Sequence, residues 1–146
     1  MTATAAWLIA AVLVEGAIAL VLLWMLGAIR VPLVTSGKMP VAQIALSREP
    51  WPEHEKRVAN AFDNQFQLPL LFYVAAGLSL YFGTIWIEVV LAWLFALSRI
   101  VHAVIFVTRN RVYRRFFAYT FGYAMLCLMW LDLAIRLIVT ALRASS

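Results

Sequence analysis

Apolar positions along this chain gather in four long blocks, at about residues 5–29, 58–82, 84–107 and 116–141. Each approaches the roughly 20 residues that an α-helix needs to cross a bilayer core of about 30 Å. In lipid a segment must satisfy its own backbone polar groups, so open blocks of this length predict helices. The pattern predicts an all-α, integral membrane four-helix bundle, with residues 1–146 forming a single transmembrane domain. The connections are unequal. A long one, at about 31–56, is broken by Pro32, Pro40, Pro50 and Pro52, and its stretch 39–46 predicts a short helix on the membrane surface with Trp51 as an interfacial anchor. The second is a tight turn at Gly83, and the third is a short basic run around 109–115.

Polar positions inside the blocks are few and one-sided. At the start of the second block Asn60, Asp63, Asn64 and Gln67 fall at i, i+3, i+4 and i+7, one stripe on a helical face. Lipid strongly disfavours such a stripe, so it should face the protein interior or a wet cavity. Pro69 follows, removing the donor for the Gln65 carbonyl and predicting a kink beside the stripe. The third block carries a second polar line at the same depth: Arg99, His102, Phe106 and Arg109. An intramembrane arginine needs a counter-ion, and Asp63 and Glu15, the lone charge of the first block, are the candidates. The fourth block presents Arg115, Tyr119, Gly122, Tyr123 and Leu126 along one side. Asp132 and Arg136 form an i, i+4 pair nearer its far end.

Composition agrees: 65% of residues are hydrophobic, 13% are charged, and the mean hydropathy is +0.90. A soluble domain of this size carries about twice that charge. The first block is read as a retained helix, because residues 1–6 hold no Lys or Arg and the apolar run exceeds a signal-peptide core. The single cysteine, Cys127, excludes an internal disulfide and is expected as a small buried hydrophobe; with two histidines it makes no zinc cluster.

The net charge of +5 changes the picture through its location. Arg30, Lys38, Arg48, Lys56 and Arg57 lie in or beside the first connection, and Arg109, Arg111, Arg114 and Arg115 fill the third. The second connection and the N-terminal residues have none, which places connections one and three in the cytoplasm and both termini outside. Membrane lipids, not nucleic acid, are the partners this distribution implies. Collected on the cytoplasmic side, Arg30, Arg57, Asn60, Asp63, Asn64, Gln67, Arg99, His102, Arg109, Arg115 and Tyr119 suit a small anionic ligand. The apolar flanks suit a lipid-like second substrate, and an arginine or tyrosine beside a bound thiol favours the thiolate.

Arg57-Val58-x-x-Ala61-x-x-Asn64 with Gln67, together with Ser98-Arg99-Ile100-Val101-His102-x-x-x-Phe106, resembles the MAPEG family, the membrane-associated proteins of eicosanoid and glutathione metabolism. The run from Asn64 to Tyr73 is similar to the family's small bacterial branch, which implies a bacterial inner membrane. The resemblance implies a homotrimer with glutathione near the cytoplasmic face between neighbouring subunits. It matches Arg57, Asn64, Gln67, Arg99, His102, Tyr119 and, at the end of the first helix, Arg30 to the glutathione site or its support. It matches Arg115 to the arginine that stabilises the thiolate in the family's prostaglandin and leukotriene synthases. The chain departs where the family's enzymes usually carry arginine (here Asn60), glutamate (here Gln67) and tyrosine (here Phe106).

Two functions follow as expectations. One is a glutathione-dependent transferase or peroxidase acting on lipophilic electrophiles, with glutathione as cosubstrate. The other is a non-catalytic lipid-binding or scaffold subunit of a larger membrane complex, which the three departures favour. An ion pathway lined by Asp63, Arg99 and His102 finds no continuation in the outer halves of helices two and three.

Overall fold

The computed structural model describes residues 1–45 and 47–145. Helix α1 spans Ala3–Thr35, α2 is a single turn at Val41–Ile44, and α3 spans Glu53–Asp63. A 3₁₀ turn at Asn64–Phe66 leads into α4, Leu68–Phe82, and then come α5, Trp86–Val107, and α6, Val112–Ala144. Among the described residues, four helical segments are long and apolar enough to cross a membrane: α1, the α3–α4 unit, α5 and α6. The surface helix anticipated at 39–46 is limited to α2, and Leu46 lies outside the described residues.

Two helices outrun the hydropathy pattern. At about 1.5 Å per residue, the 33 residues of α1 and of α6 each extend close to 50 Å, well past a bilayer core of about 30 Å. Pro32 does not stop α1, which continues to Thr35 and ends with the Ser36 and Gly37 amides bonded to the Pro32 and Val34 carbonyls.

The α3–α4 unit is interrupted rather than bent. Pro69 falls in the first turn of α4, where a missing N–H costs nothing, and the break itself sits at Gln67, with φ −104° and ψ −99°. The turn N-terminal to the break carries additional side-chain donors. Asn64 Nδ2 donates to the Asn60 carbonyl at 2.7 Å, and Gln65 Nε2 donates to the Ala61 carbonyl at 3.2 Å.

Helix α5 is the centre of the bundle, packed on α1 along one side and α6 along the other. Two core clusters result. One, toward the turn between α4 and α5, joins Leu8 and Ala11 to Phe72, Ala75, Phe95, Leu126 and Met129, with Phe72 stacked on Phe95 at 4.7 Å. The other joins Leu22 and Leu26 to Val58, Ala61, Ala103 and Phe106. Gly122 lets α6 approach α5 closely, since a Cβ there would strike the Ser98 side chain. Gly83, at φ +83°, makes the turn between α4 and α5.

The turn end of the bundle is fastened by a buried carboxylate. Glu88, with no exposed surface, accepts from Ser79 Oγ at 2.8 Å, from the Ile85 amide at 2.9 Å and from Arg136 Nη1 at 2.6 Å. Arg136 also donates to the Phe82 and Gly83 carbonyls. The sequence spacing paired Arg136 with Asp132 four residues earlier. The structure corrects this, because α5 brings a fully buried acid to Arg136 and the stronger demand belongs to the group with no access to water. Cys127 also departs from expectation. It is exposed on the outer face of α6, because Gly122, Leu126, Met129 and Leu133 alone define that helix's buried side.

Candidate functional site

The break in the α3–α4 unit opens a cavity against α5 and the first turns of α6. Its volume is about 470 Å³, within the roughly 300–1,000 Å³ of small-molecule sites. The whole polar stripe of the second span lines it: Asn60, Asp63, Asn64 and Gln67. His102 and Phe106 come from α5, and Val112, Arg115, Phe116 and Tyr119 from α6. The polar stripe of the second span and two members of the α5 line, about 40 residues apart in sequence, therefore meet at one wall, with an apolar flank at Val112 and Phe116, while Arg99 and Arg109 do not line it.

Several of these side chains have definite neighbours. The Arg115 guanidinium lies over the Phe106 ring, 4.0 Å from its centroid, and Nη1 donates to Asn110 Oδ1 at 2.8 Å. Asn110 itself has φ +45°, a left-handed conformation that asparagine tolerates. The His102 ring packs 5.7 Å from Phe106 and 5.8 Å from Tyr119, and its Nδ1 is buried without a hydrogen-bond partner among the described residues. Asn64 has committed its amide nitrogen to the Asn60 carbonyl, leaving the amide oxygen as its acceptor.

Of the arginines matched to the site by sequence, only Arg115 lines this cavity. Arg99 is fully buried beneath it, its guanidinium 5.7 Å from the Tyr119 ring, with Nη2 donating to the Asn64 carbonyl at 3.2 Å. Its acidic neighbour is Glu15 at 3.9 Å, not Asp63. Arg57 pairs with Glu53 and donates from Nη1 to the Thr108 carbonyl at 2.8 Å, tying α3 to the end of α5. Arg30 bonds the fully buried Glu55 from Nε at 2.7 Å and lies over Trp51.

Asp63 is claimed from outside the bundle. Arg48, in the long connection, forms an ion pair with it, and this hydrogen bond pushes the Arg48 pKa above the ordinary arginine value. Asp63 also borders a second cavity of about 490 Å³ on the α1 side, together with Arg30, Arg48, Leu26 and Phe62. Glu55 and Arg48 were missed as structural partners in the sequence reading. Their only signal there was opposite charge near Arg30 and Asp63, which many residues of the connection share. A third cavity, lined only by apolar residues of α1 and α5, lies on the side of α5 away from His102.

The four spans, the interrupted second helix and the polar wall are joined by direct evidence of kinship: the MAPEG family matches residues 4–135. The chain belongs to the MAPEG family. This family includes glutathione transferases and peroxidases, and its members generally use glutathione. No curated protein and no solved structure gives a match.

Proposed function

We propose that this MAPEG-family protein is a glutathione-dependent transferase or peroxidase acting on lipophilic electrophiles, and that it works as a homotrimer in a bacterial inner membrane. The observation that carries the reading is the cavity wall itself, where Asn64, Gln67, His102, Tyr119 and Arg115 converge beside an apolar flank. Glutathione offers carboxylates and amides for such a set. Asn64 and Gln67 serve as hydrogen-bonding partners for its backbone, while His102 and Tyr119 line the approach to its thiol. Arg115 lies nearest the thiol and stabilises the anion left when the S–H proton passes to water. The sulfur lone pair then forms the bond to the electrophilic carbon or peroxide oxygen, and the leaving group departs with the bonding electrons.

On this reading Arg57 and Arg99 act as supports, and Arg30 as a support or from a neighbouring subunit. Arg30 is the best placed for that, since it borders a cavity on the opposite side of α3. Lipophilic substrate reaches the site from the bilayer along Val112 and Phe116.

Calorimetric titration of glutathione into the detergent-purified protein, beside Arg115→Ala, tests the proposal. Binding between micromolar and low millimolar concentration, weakened in the variant, supports it. A folded oligomer that takes up no heat at several millimolar glutathione overturns it. A second reading, a non-catalytic lipid-binding or scaffold subunit, is favoured by one observation: Asn60, Gln67 and Phe106, the three departures from the family's enzymes, all line the cavity. Such a protein would copurify with lipid or a membrane partner and leave glutathione unbound.

A further inference from the structure

Glu15 and Arg99 are fully buried and face one another from α1 and α5 at 3.9 Å, beyond direct hydrogen-bond reach. Both Glu15 oxygens, and Arg99 Nε and Nη1, lack hydrogen-bond partners among the described residues. The bond Arg99 does make is informative. Its Nη2 donates to the carbonyl of Asn64, the first residue of the 3₁₀ turn, three residues before the break at Gln67. A helix that stops leaves its last carbonyls without donors, and Pro69 cannot supply one. Arg99 adds a charged donor to one carbonyl of this last turn, that of Asn64. A guanidinium can be held there, away from water, only with a counter-charge, and Glu15 is the acid within 4 Å.

We propose that Glu15 is a positioning residue for the cavity. Through Arg99 it holds the interrupted segment of the second span open, and so sets where Asn64 and Gln67 stand in the cavity wall. The pair ties three spans at one point: α1 through Glu15, α5 through Arg99, and the break through the Asn64 carbonyl. The inference concerns the geometry of the cavity, and only its ligand arm rests on the glutathione reading.

A structural ion pair without this role predicts a different outcome from one experiment. Hydrogen exchange at the amides of Gln65, Phe66, Gln67 and Leu68 is compared in the wild type, Glu15→Leu, and the double variant Glu15→Leu/Arg99→Leu. In Glu15→Leu, exchange at these four amides rises tenfold or more, while amides around Glu88 and Arg136 keep their wild-type rates. The double variant leaves no unpaired charge at this point, so its thermal midpoint returns toward the wild type, yet exchange at the break stays at least tenfold fast because the Asn64 carbonyl has lost the Arg99 hydrogen bond. Where the single variant does not fold, the double variant alone decides. Wild-type exchange at the break in the double variant overturns the proposal, as does an increase spread evenly over the protein. Glutathione titration into the same samples separates the two claims. Fast exchange at the break with no glutathione binding even in the wild type leaves the positioning role standing and removes the glutathione reading.

Discussion

Arg115 rests on the face of Phe106, its guanidinium carbon 4.0 Å from the ring centroid, and is steadied from the other side by Asn110. Phe106 is therefore more than a lost hydroxyl. It is the platform under the cation that we propose stabilises the thiolate. A cation–π contact of this kind is worth about 0.5–2 kcal/mol. Phe106→Leu should weaken glutathione binding several-fold, with a matching loss of turnover. Phe106→Tyr keeps the platform and adds a donor, and should tighten binding by about 1 kcal/mol if the hydroxyl finds the ligand. Paired titrations check both; a leucine variant that binds as well as the wild type would remove Phe106 from the site.

The fastening of α6 to the turn between α4 and α5 should dominate thermal stability. Glu88 is fully buried and Arg136 is its cationic partner at 2.6 Å. Arg136→Leu strands the carboxylate and should cost about 3–5 kcal/mol. Glu88→Gln keeps the shape and part of the hydrogen bonding and should cost less. Thermal unfolding in one detergent gives the comparison, and equal midpoints for Arg136→Leu and the wild type would show that the pair contributes nothing net.

Arg48 and Asp63 connect the long first connection to the helix that lines the cavity. Both side chains are about half exposed, so the pair adds no more than about 1 kcal/mol and is screened by salt. Because the pairing raises the Arg48 pKa, its contribution is fully present below the ordinary arginine value and is lost only as pH climbs beyond it. Cleavage of the connection by protease should therefore be flat between about pH 6 and 9 for this pair, yet rise with salt and in Arg48→Ala. A steep change across that pH range would point to another group as the latch.

Orientation is open to a direct check. The arginines of connections one and three predict both on the cytoplasmic side. A reporter fused after Ser146, which lies outside the described residues, should register as non-cytoplasmic. A cytoplasmic signal there would invert the assignment and move the cavity to the other membrane face.

Much of this protein was legible in one dimension. Hydropathy depends on residue type alone, so four spans could be counted, and the spacing of Asn60, Asp63, Asn64 and Gln67 announced a shared wall before any helix was placed. The same spacing pointed to a kink but not to its form. Pro69 could have bent one helix, whereas the chain breaks at Gln67 and Pro69 stands in the first turn of a second one.

Pairing was the part that sequence could not decide. Arg99 had two candidate acids and took Glu15; Arg136 had a neighbour four residues away and took Glu88 on another helix; Arg48 claimed Asp63. A charge in a low-dielectric interior is matched by whichever opposite charge helix rotation and depth bring within a few ångströms, and rotation is set by packing contacts such as Gly122 against Ser98. The sequence by itself determined which segments cross the membrane and which face of the second span is polar, because those properties are sums over local residues. Tertiary structure decided which arginine stands in the cavity and which ones support it, because that depends on distances between helices that no local pattern encodes.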